Sequence, residues 1–246
     1  SSAYLRVNGS ASNAGNYETG SGIKPLTEYS TTDYTAILGT LLSDGSKLEF
    51  NYTNNRQDKV GYPGLTMDIV YSYTDMYTLK YHRVTPFGMF STMNVELFNT
   101  DIDHLMDNVV LRGNTGNGVM SWPTASDTYG GRIIGTIGSD IRAGIDFEHN
   151  TKDAEQNMVM SGMNVFMTYL WPGVETEKLG LFFEKDLNNI SYGLRYDQVE
   201  LDPTRAADNP GAGGMQKTAN EVYTADYDGT IVATKREFDN ISGFLR

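Results

Sequence analysis

Residues 141–150 read IRAGIDFEHN, and the spacing of their side chains decides the fold. Apolar residues occupy every second position of this stretch, namely Ile141, Ala143, Ile145 and Phe147. Polar residues occupy positions of the opposite parity, namely Arg142, Asp146, Glu148 and Asn150. Successive side chains of a β-strand point to opposite faces, so a period of two predicts a strand with one apolar face and one polar face.

The same alternation recurs along the chain. It is clearest in KLEFNYTN (47–54), MNVELFN (93–99) and SYGLRYDQ (191–198). Taken together, these patterns predict about ten strands. We place them near residues 2–12, 28–42, 47–55, 75–84, 89–102, 128–137, 141–150, 177–185, 190–202 and 230–246.

The connections between these strands alternate in length. Short turns are predicted at SDGS (43–46), TPFG (85–88), GSD (138–140) and DLNN (186–189). Long segments are predicted at 13–26, 56–74, 103–127, 151–176 and 203–229. This pattern predicts an all-β, antiparallel up-and-down sheet with all long connections at one end. Transmembrane β-barrels of the outer membrane have such connections, an apolar outside and a polar lumen.

In such a barrel, one set of side chains would face lipid. The predicted lipid-facing residues are Leu48, Phe50, Met93, Val95, Leu97, Ile133, Ile145, Phe147, Leu179, Leu181 and Leu194. Tyrosines near the strand ends would form aromatic girdles at the membrane interfaces, or reflect ordinary strand propensity. They are Tyr4, Tyr34, Tyr81, Tyr129, Tyr192 and Tyr196.

Composition excludes several classes of protein. The chain of 246 residues has 31 acidic and 19 basic residues and a net charge of −12, which argues against nucleic-acid binding. It has no Cys, so this stretch holds neither a disulfide framework nor a Cys-based zinc site. It does not begin with Met and stops inside the strand predicted at NISGFLR (240–246), so we expect an internal portion of a longer protein.

His104 and Met106 in DIDHLMDNVVLR (101–112) form the candidate metal site. If their strand continues without a bulge, both share the lumen-facing parity of Asn94 and Glu96. At about 3.3 Å per residue, His104 lies roughly 23 Å beyond Leu97, near the external mouth. Imidazole and thioether are neutral ligands that suit Cu(I) better than hard cations, although side chains of a plain wall remain an alternative.

Other side chains near this site are ambiguous. The carboxylates of Asp101, Asp103 and Asp107 would either hold the imidazole of His104 or face solvent. Parity places His82 on the lumen side near the short turns, and it points His149 outward. A methionine cluster would either relay soft metals or pack a long loop, and it comprises Met158, Met160, Met163 and Met167. No Gly-x-Ser-x-Gly elbow or phosphate-binding glycine loop is present, so no enzyme is predicted.

At DHLMDNVVLR (103–112) the sequence resembles the TonB-dependent copper receptor family of Gram-negative outer membranes. The stretches beginning at YPGLTMDI (62–69), YGGRIIGTIG (129–138) and LGLFFEKDLNN (179–189) are similar to segments of the same family. The resemblance implies a barrel of 22 strands closed by an N-terminal plug. On this interpretation residues 1–246 are part of the β-barrel domain, and the plug and the remaining strands lie outside the sequence.

The resemblance also implies a function. Copper would be imported into the periplasm with energy from the TonB complex, acting through the plug. His104 and Met106 would be the barrel-side copper ligands, and a Cys and a Met of the plug would complete the site. Outer-membrane lipids would surround the barrel, and an extracellular or lipoprotein partner would bind the long loops.

Three alternatives stay open at this point. The receptor would carry another metal or a metallophore, or the chain would be a ten-strand outer-membrane protease in which Asp and His residues activate water. A soluble β-rich binding domain would show a similar alternation, although it rarely places all its long loops at one end.

Overall fold

The computed structural model describes residues 2–114, 118–159, 166–187, 189–204, 224–225, 231–232 and 235–246. Twelve strands lie within them: β1 (Ser2–Ala14), β2 (Tyr29–Leu41), β3 (Lys47–Val60), β4 (Asp68–Arg83), β5 (Phe90–Asp107), β6 (Met120–Ile137), β7 (Ile141–Met158), β8 (Phe166–Leu187), β9 (Ile190–Pro203), β10 (Thr224–Ala225), β11 (Ile231–Val232) and β12 (Arg236–Leu245). These residues include no helix that is long and apolar enough to span a membrane.

Ten of these strands form a single antiparallel sheet. Each strand from β1 to β8 pairs with the next along the chain, and β9 pairs with β12. β10 and β11 form a separate two-residue ladder. The predicted all-β, up-and-down arrangement of about ten strands is therefore confirmed. Its two edges are β1 and β12, which have one neighbour each among the described strands.

The strands extend further than predicted at the end that carries the long connections. β5 runs to Asp107 and β6 begins at Met120, whereas a loop was predicted over 103–127. The β3–β4 connection is only residues 61–67 instead of 56–74, and β7 and β8 likewise extend into the segment predicted as a loop over 151–176. The prediction was wrong because apolar alternation stops where the outer face becomes polar, while backbone pairing continues.

The predicted short turns are confirmed at the opposite end. Gly45 between β2 and β3 has φ +82°, and Gly138 between β6 and β7 has φ +62°. A side chain rarely adopts this left-handed conformation, so glycine suits both turns. In the first turn Asp44 also accepts a hydrogen bond from the Ser46 amide at 3.0 Å.

The register places the predicted lipid-facing residues on one face. Leu5, Leu38, Phe50, Leu79 and Leu97 lie in a row across five adjacent strands. All five are exposed, with Leu5 at 67% and Leu38 at 56%. All eleven predicted residues have this parity, and we call their surface the apolar face. Their rows form an apolar belt, and contiguous exposed apolar surface of this extent needs a non-aqueous neighbour.

The opposite face, which we call the polar face, carries charge of alternating sign. Glu49, Lys80, Glu96, Arg132 and Asp146 follow one another across β3 to β7. Opposite charges on neighbouring strands stabilise the pairing. Lys80 and Glu96, for example, form an ion pair at 3.5 Å.

Aromatic rings on the polar face lie opposite glycines of the neighbouring strand. Four such pairs are directly cross-strand: Tyr4 with Gly39, Phe98 with Gly130, Phe182 with Gly144, and Phe244 with Gly193. A Cβ at each glycine would meet the opposing ring.

Tyr4 was predicted to lie in the girdle, and this was wrong, because its hydroxyl donates to Glu49 on the polar face at 2.5 Å. The other five tyrosines do lie on the apolar face.

Candidate metal-binding site

β5 carries His104 and Met106 onto the polar face. Its register with β6 is unbroken from Thr92 to Asp107, with His104 opposite Thr124 and Met106 opposite Trp122. The irregularity on the other side falls between Ile69 and Tyr71 of β4, so the extra residue belongs to β4. His104 and Met106 therefore keep the parity of Asn94 and Glu96, as predicted.

The pair also lies beyond the apolar belt. On the apolar face of β5, Leu97 is followed by Asn99, Asp101 and Asp103, which are polar. His104 and Met106 stand at this height on the polar face, immediately before the β5–β6 connection. The structure thus places them at the end of the sheet with the long connections.

His104 is suited to bind a metal as a neutral imidazole. The side chain is half-buried, and burial lowers the pKa of His104 below its ordinary value, although the charge of Asp103 opposes this shift. Among the described residues, no group forms a hydrogen bond with the ring nitrogens of His104. A metal ligand must be deprotonated, so a neutral ring with available nitrogens has the required form.

The carboxylates of the same stretch do not hold this imidazole. Asp101 and Asp103 project on the other face of β5, where Asp103 accepts a hydrogen bond from the Tyr71 hydroxyl at 3.3 Å. Asp107 instead caps the turn after β5, accepting from the amides of Val109 and Val110 at 3.0 Å each. The possibility that these acids orient His104 is therefore wrong. The described part of the chain has no cluster of three or more His, Asp or Glu residues that could hold a metal.

An ion pair between a buried carboxylate and a partly exposed arginine closes the connection next to this site, and we call it the Asp68–Arg112 clasp. The Arg112 guanidinium donates to both Asp68 oxygens, at 2.7 Å from Nε and 2.9 Å from Nη2. Asp68 is fully buried. Tyr62 joins the clasp, since its amide donates to Asp68 at 2.8 Å and its carbonyl accepts from Arg112 at 2.8 Å.

The clasp ties together the two connections that flank the outer ends of β4 and β5. Asp68 stands opposite Asp107 in the register, and Ile69 stands opposite Met106. The clasp therefore lies one residue along the strands from the cross-strand pair of Ile69 and Met106. Sequence analysis missed it because the two partners are 44 residues apart, and only the fold brings the β5–β6 connection against the first residue of β4.

Both tryptophans of the chain lie at the same end of the sheet as the candidate ligands. Trp122 is directly opposite Met106 on β6. Trp171 of β8 is opposite Ala154 of β7. Ala154 is in turn opposite Thr124 of β6, which is the cross-strand partner of His104. No sequence signal pointed to Trp122, since it fell within a segment predicted as loop.

The remaining histidines lie as predicted. His82 is on the polar face near the short turns, where its Nδ1 and the Asn94 Oδ1 are 2.5 Å apart. His149 is on the apolar face, where its ring stacks on Tyr129 with centroids 4.9 Å apart.

The methionine cluster is described only in part. Met158 ends β7 and stands opposite Met120 of β6. Met160 and Met163 lie outside the described residues, and so does the side chain of Met167. The predicted relay of soft metals through this cluster stays a prediction.

Comparison with known proteins supports the fold and leaves the family open. No protein-family model and no curated protein sequence matches the chain. Among solved structures, the chain is similar to copper transporter OprC, with a TM-score of 0.70 over 99% of this chain and 18% sequence identity. The chain spans 38% of the length of that transporter. The likeness shows the fold alone, namely that this antiparallel sheet resembles part of that longer chain.

Proposed function

We propose that the chain is part of the β-barrel of a TonB-dependent receptor in the bacterial outer membrane, importing copper or a copper complex into the periplasm. One observation carries the proposal. His104 and Met106 share the polar face just beyond the apolar belt, and the ring nitrogens of His104 have no hydrogen-bond partner among the described residues. A nitrogen and a thioether at the mouth of a lumen suit a soft metal such as Cu(I).

The two faces of the sheet support a membrane location for this site. The apolar face would contact outer-membrane lipid, and the polar face would line the lumen. The edges at β1 and β12, which have one neighbour each among the described strands, would pair with further strands to complete a barrel of 22 strands. A plug would supply the remaining copper ligands and the link to the TonB complex, and the hairpins beyond the belt would be available to an extracellular or lipoprotein partner.

The ligand types favour copper over a hard cation. Mg²⁺ and Ca²⁺ bind oxygen ligands, and the carboxylates nearest to His104 project from the other face or cap a turn. The charged groups lower on the polar face are engaged with one another, as Arg195 is with both oxygens of Asp146 at 2.9 Å. A transported soft ion would meet His104 and Met106 before it met those groups.

The proposal predicts that the double variant His104→Ala, Met106→Ala loses copper binding. In the full-length protein in detergent, equilibrium dialysis followed by metal analysis should show copper retained by the parent and lost by the variant. A matched control is His82→Ala, Met76→Ala, which removes the same residue types from the same face at a lower level and should retain copper. If the parent binds no copper, or if the double variant binds as the parent does, the proposal fails.

A further inference from the structure

Trp122 stands within reach of any metal that Met106 holds. The two residues are directly opposite each other on β5 and β6 and share the polar face. Side chains in such positions have Cβ atoms about 4.5–5.5 Å apart. On its other side Met106 faces Ile69, which is buried. The thioether is therefore flanked by one indole and one aliphatic side chain.

The indole N–H does not explain why tryptophan occupies this position. The Nε1 atom of Trp122 is buried, and among the described residues it has no hydrogen-bond acceptor. Buried Trp donors usually find a partner, and an unpaired donor costs free energy. Leucine or phenylalanine would fill the same space without that cost. What the position gains from an indole is its π face, which is the strongest cation-binding face among aromatic side chains.

The neighbouring side chains determine which cation this arrangement prefers. His104, Met106 and Trp122 offer one imidazole nitrogen, one thioether sulfur and one π face, whereas Asp103 projects on the other face and Asp107 caps a turn. A divalent ion loses far more hydration energy on entering such surroundings than a monovalent ion does. Thioether and imidazole also favour soft ions.

We infer that Trp122 caps the site of His104 and Met106 and makes it select a soft monovalent cation, Cu(I), over divalent copper. This inference rests on the proposed function, because it concerns the same site. Trp122 acts through its ring face against the bound ion, so it determines specificity and is not itself a coordinating ligand.

The test compares the binding of a monovalent and a divalent ion by the parent and by tryptophan variants of the full-length protein in detergent. The probes are Ag(I), a monovalent soft ion that needs no reductant, and Cu(II). Calorimetric titration of Trp122→Leu should show Ag(I) binding weakened roughly five- to thirtyfold with Cu(II) binding unchanged. Trp122→Phe should lie between the parent and Trp122→Leu. Trp171→Leu, the matched control, should bind both ions as the parent does.

The outcomes separate this inference from the proposed function. Unchanged Ag(I) affinity in Trp122→Leu would overturn the inference alone, provided that the double variant His104→Ala, Met106→Ala loses Ag(I). Equal weakening of Ag(I) and Cu(II) would also overturn it, since Trp122 would then only support the fold. If the parent binds neither ion, or the double variant binds both as the parent does, the proposed function and the inference fail together.

Discussion

Replacing Arg112 with Met is expected to lower the free energy of unfolding by about 3–5 kcal/mol, because it leaves a buried carboxylate without its counter-charge. Asp68 is fully buried, and both of its oxygens accept from Arg112. The Tyr62 amide is its other donor and cannot neutralise the charge. Urea titration of the protein in detergent, followed by tryptophan fluorescence, would measure the loss.

The same substitution should weaken copper binding, because the clasp fixes the ends of the strands that position Met106. Asp68 and Ile69 stand opposite Asp107 and Met106 in the register. If this end of β4 opens, Met106 loses its neighbour on that side. Copper affinity in Arg112→Met should therefore fall even at temperatures where the rest of the sheet stays folded.

A matched control separates the effect of leaving a buried charge unpaired from the effect of losing any ion pair. Lys24→Met breaks the Lys24–Glu18 pair, whose side chains are 67% and 55% exposed. Such surface pairs contribute about 0–1 kcal/mol, so this variant should stay close to the parent. The double variant Asp68→Leu, Arg112→Met removes both charges and should recover much of the lost stability. If Arg112→Met is as stable as Lys24→Met, the clasp has no special role.

Parity within single strands is what made the fold and the face of the two candidate ligands predictable. A residue's face depends only on its distance along its own strand, so Leu97 and Glu96 were enough to assign His104 and Met106. The same logic should have corrected the assignment of Tyr4, because Leu5 beside it is in the apolar belt. Residue type alone does not predict the face of a tyrosine, since tyrosines of this sheet occupy both faces.

The parts that sequence analysis missed depend on contacts between strands. The outer hairpins have two polar faces, so they lack the apolar alternation that marks a strand, and only backbone pairing defines them. The clasp needs two loops to meet, and the position of Trp122 next to Met106 needs the β5–β6 register. Neither follows from local spacing. The pairing of glycines with aromatic rings depends on the same register between strands.

Gly144→Ala is expected to lower the free energy of unfolding by about 1–3 kcal/mol or more, through overpacking at a strand interface. A Cβ at Gly144 would lie 2.7 Å from the carbonyl oxygen of Ile133 and 2.6 Å from Cζ of Phe182. The Ile133 oxygen belongs to the backbone of the adjacent strand. The clash with it can therefore be removed only if the pairing of β6 with β7 shifts. Urea titration in detergent would measure the change.

Gly193→Ala provides the matched comparison, because the three atoms nearest to its Cβ all belong to side chains and none to the backbone. Its Cβ would meet the ring of Phe244, with Cζ at 2.9 Å, and Cγ of Glu184 at 3.2 Å. In a double-mutant cycle, Phe244→Leu should therefore offset most of the cost of Gly193→Ala. Phe182→Leu should offset only part of the cost of Gly144→Ala, since the Ile133 carbonyl remains in place. If Phe182→Leu restores Gly144→Ala fully, the ring and not the strand backbone sets the requirement for glycine at that position.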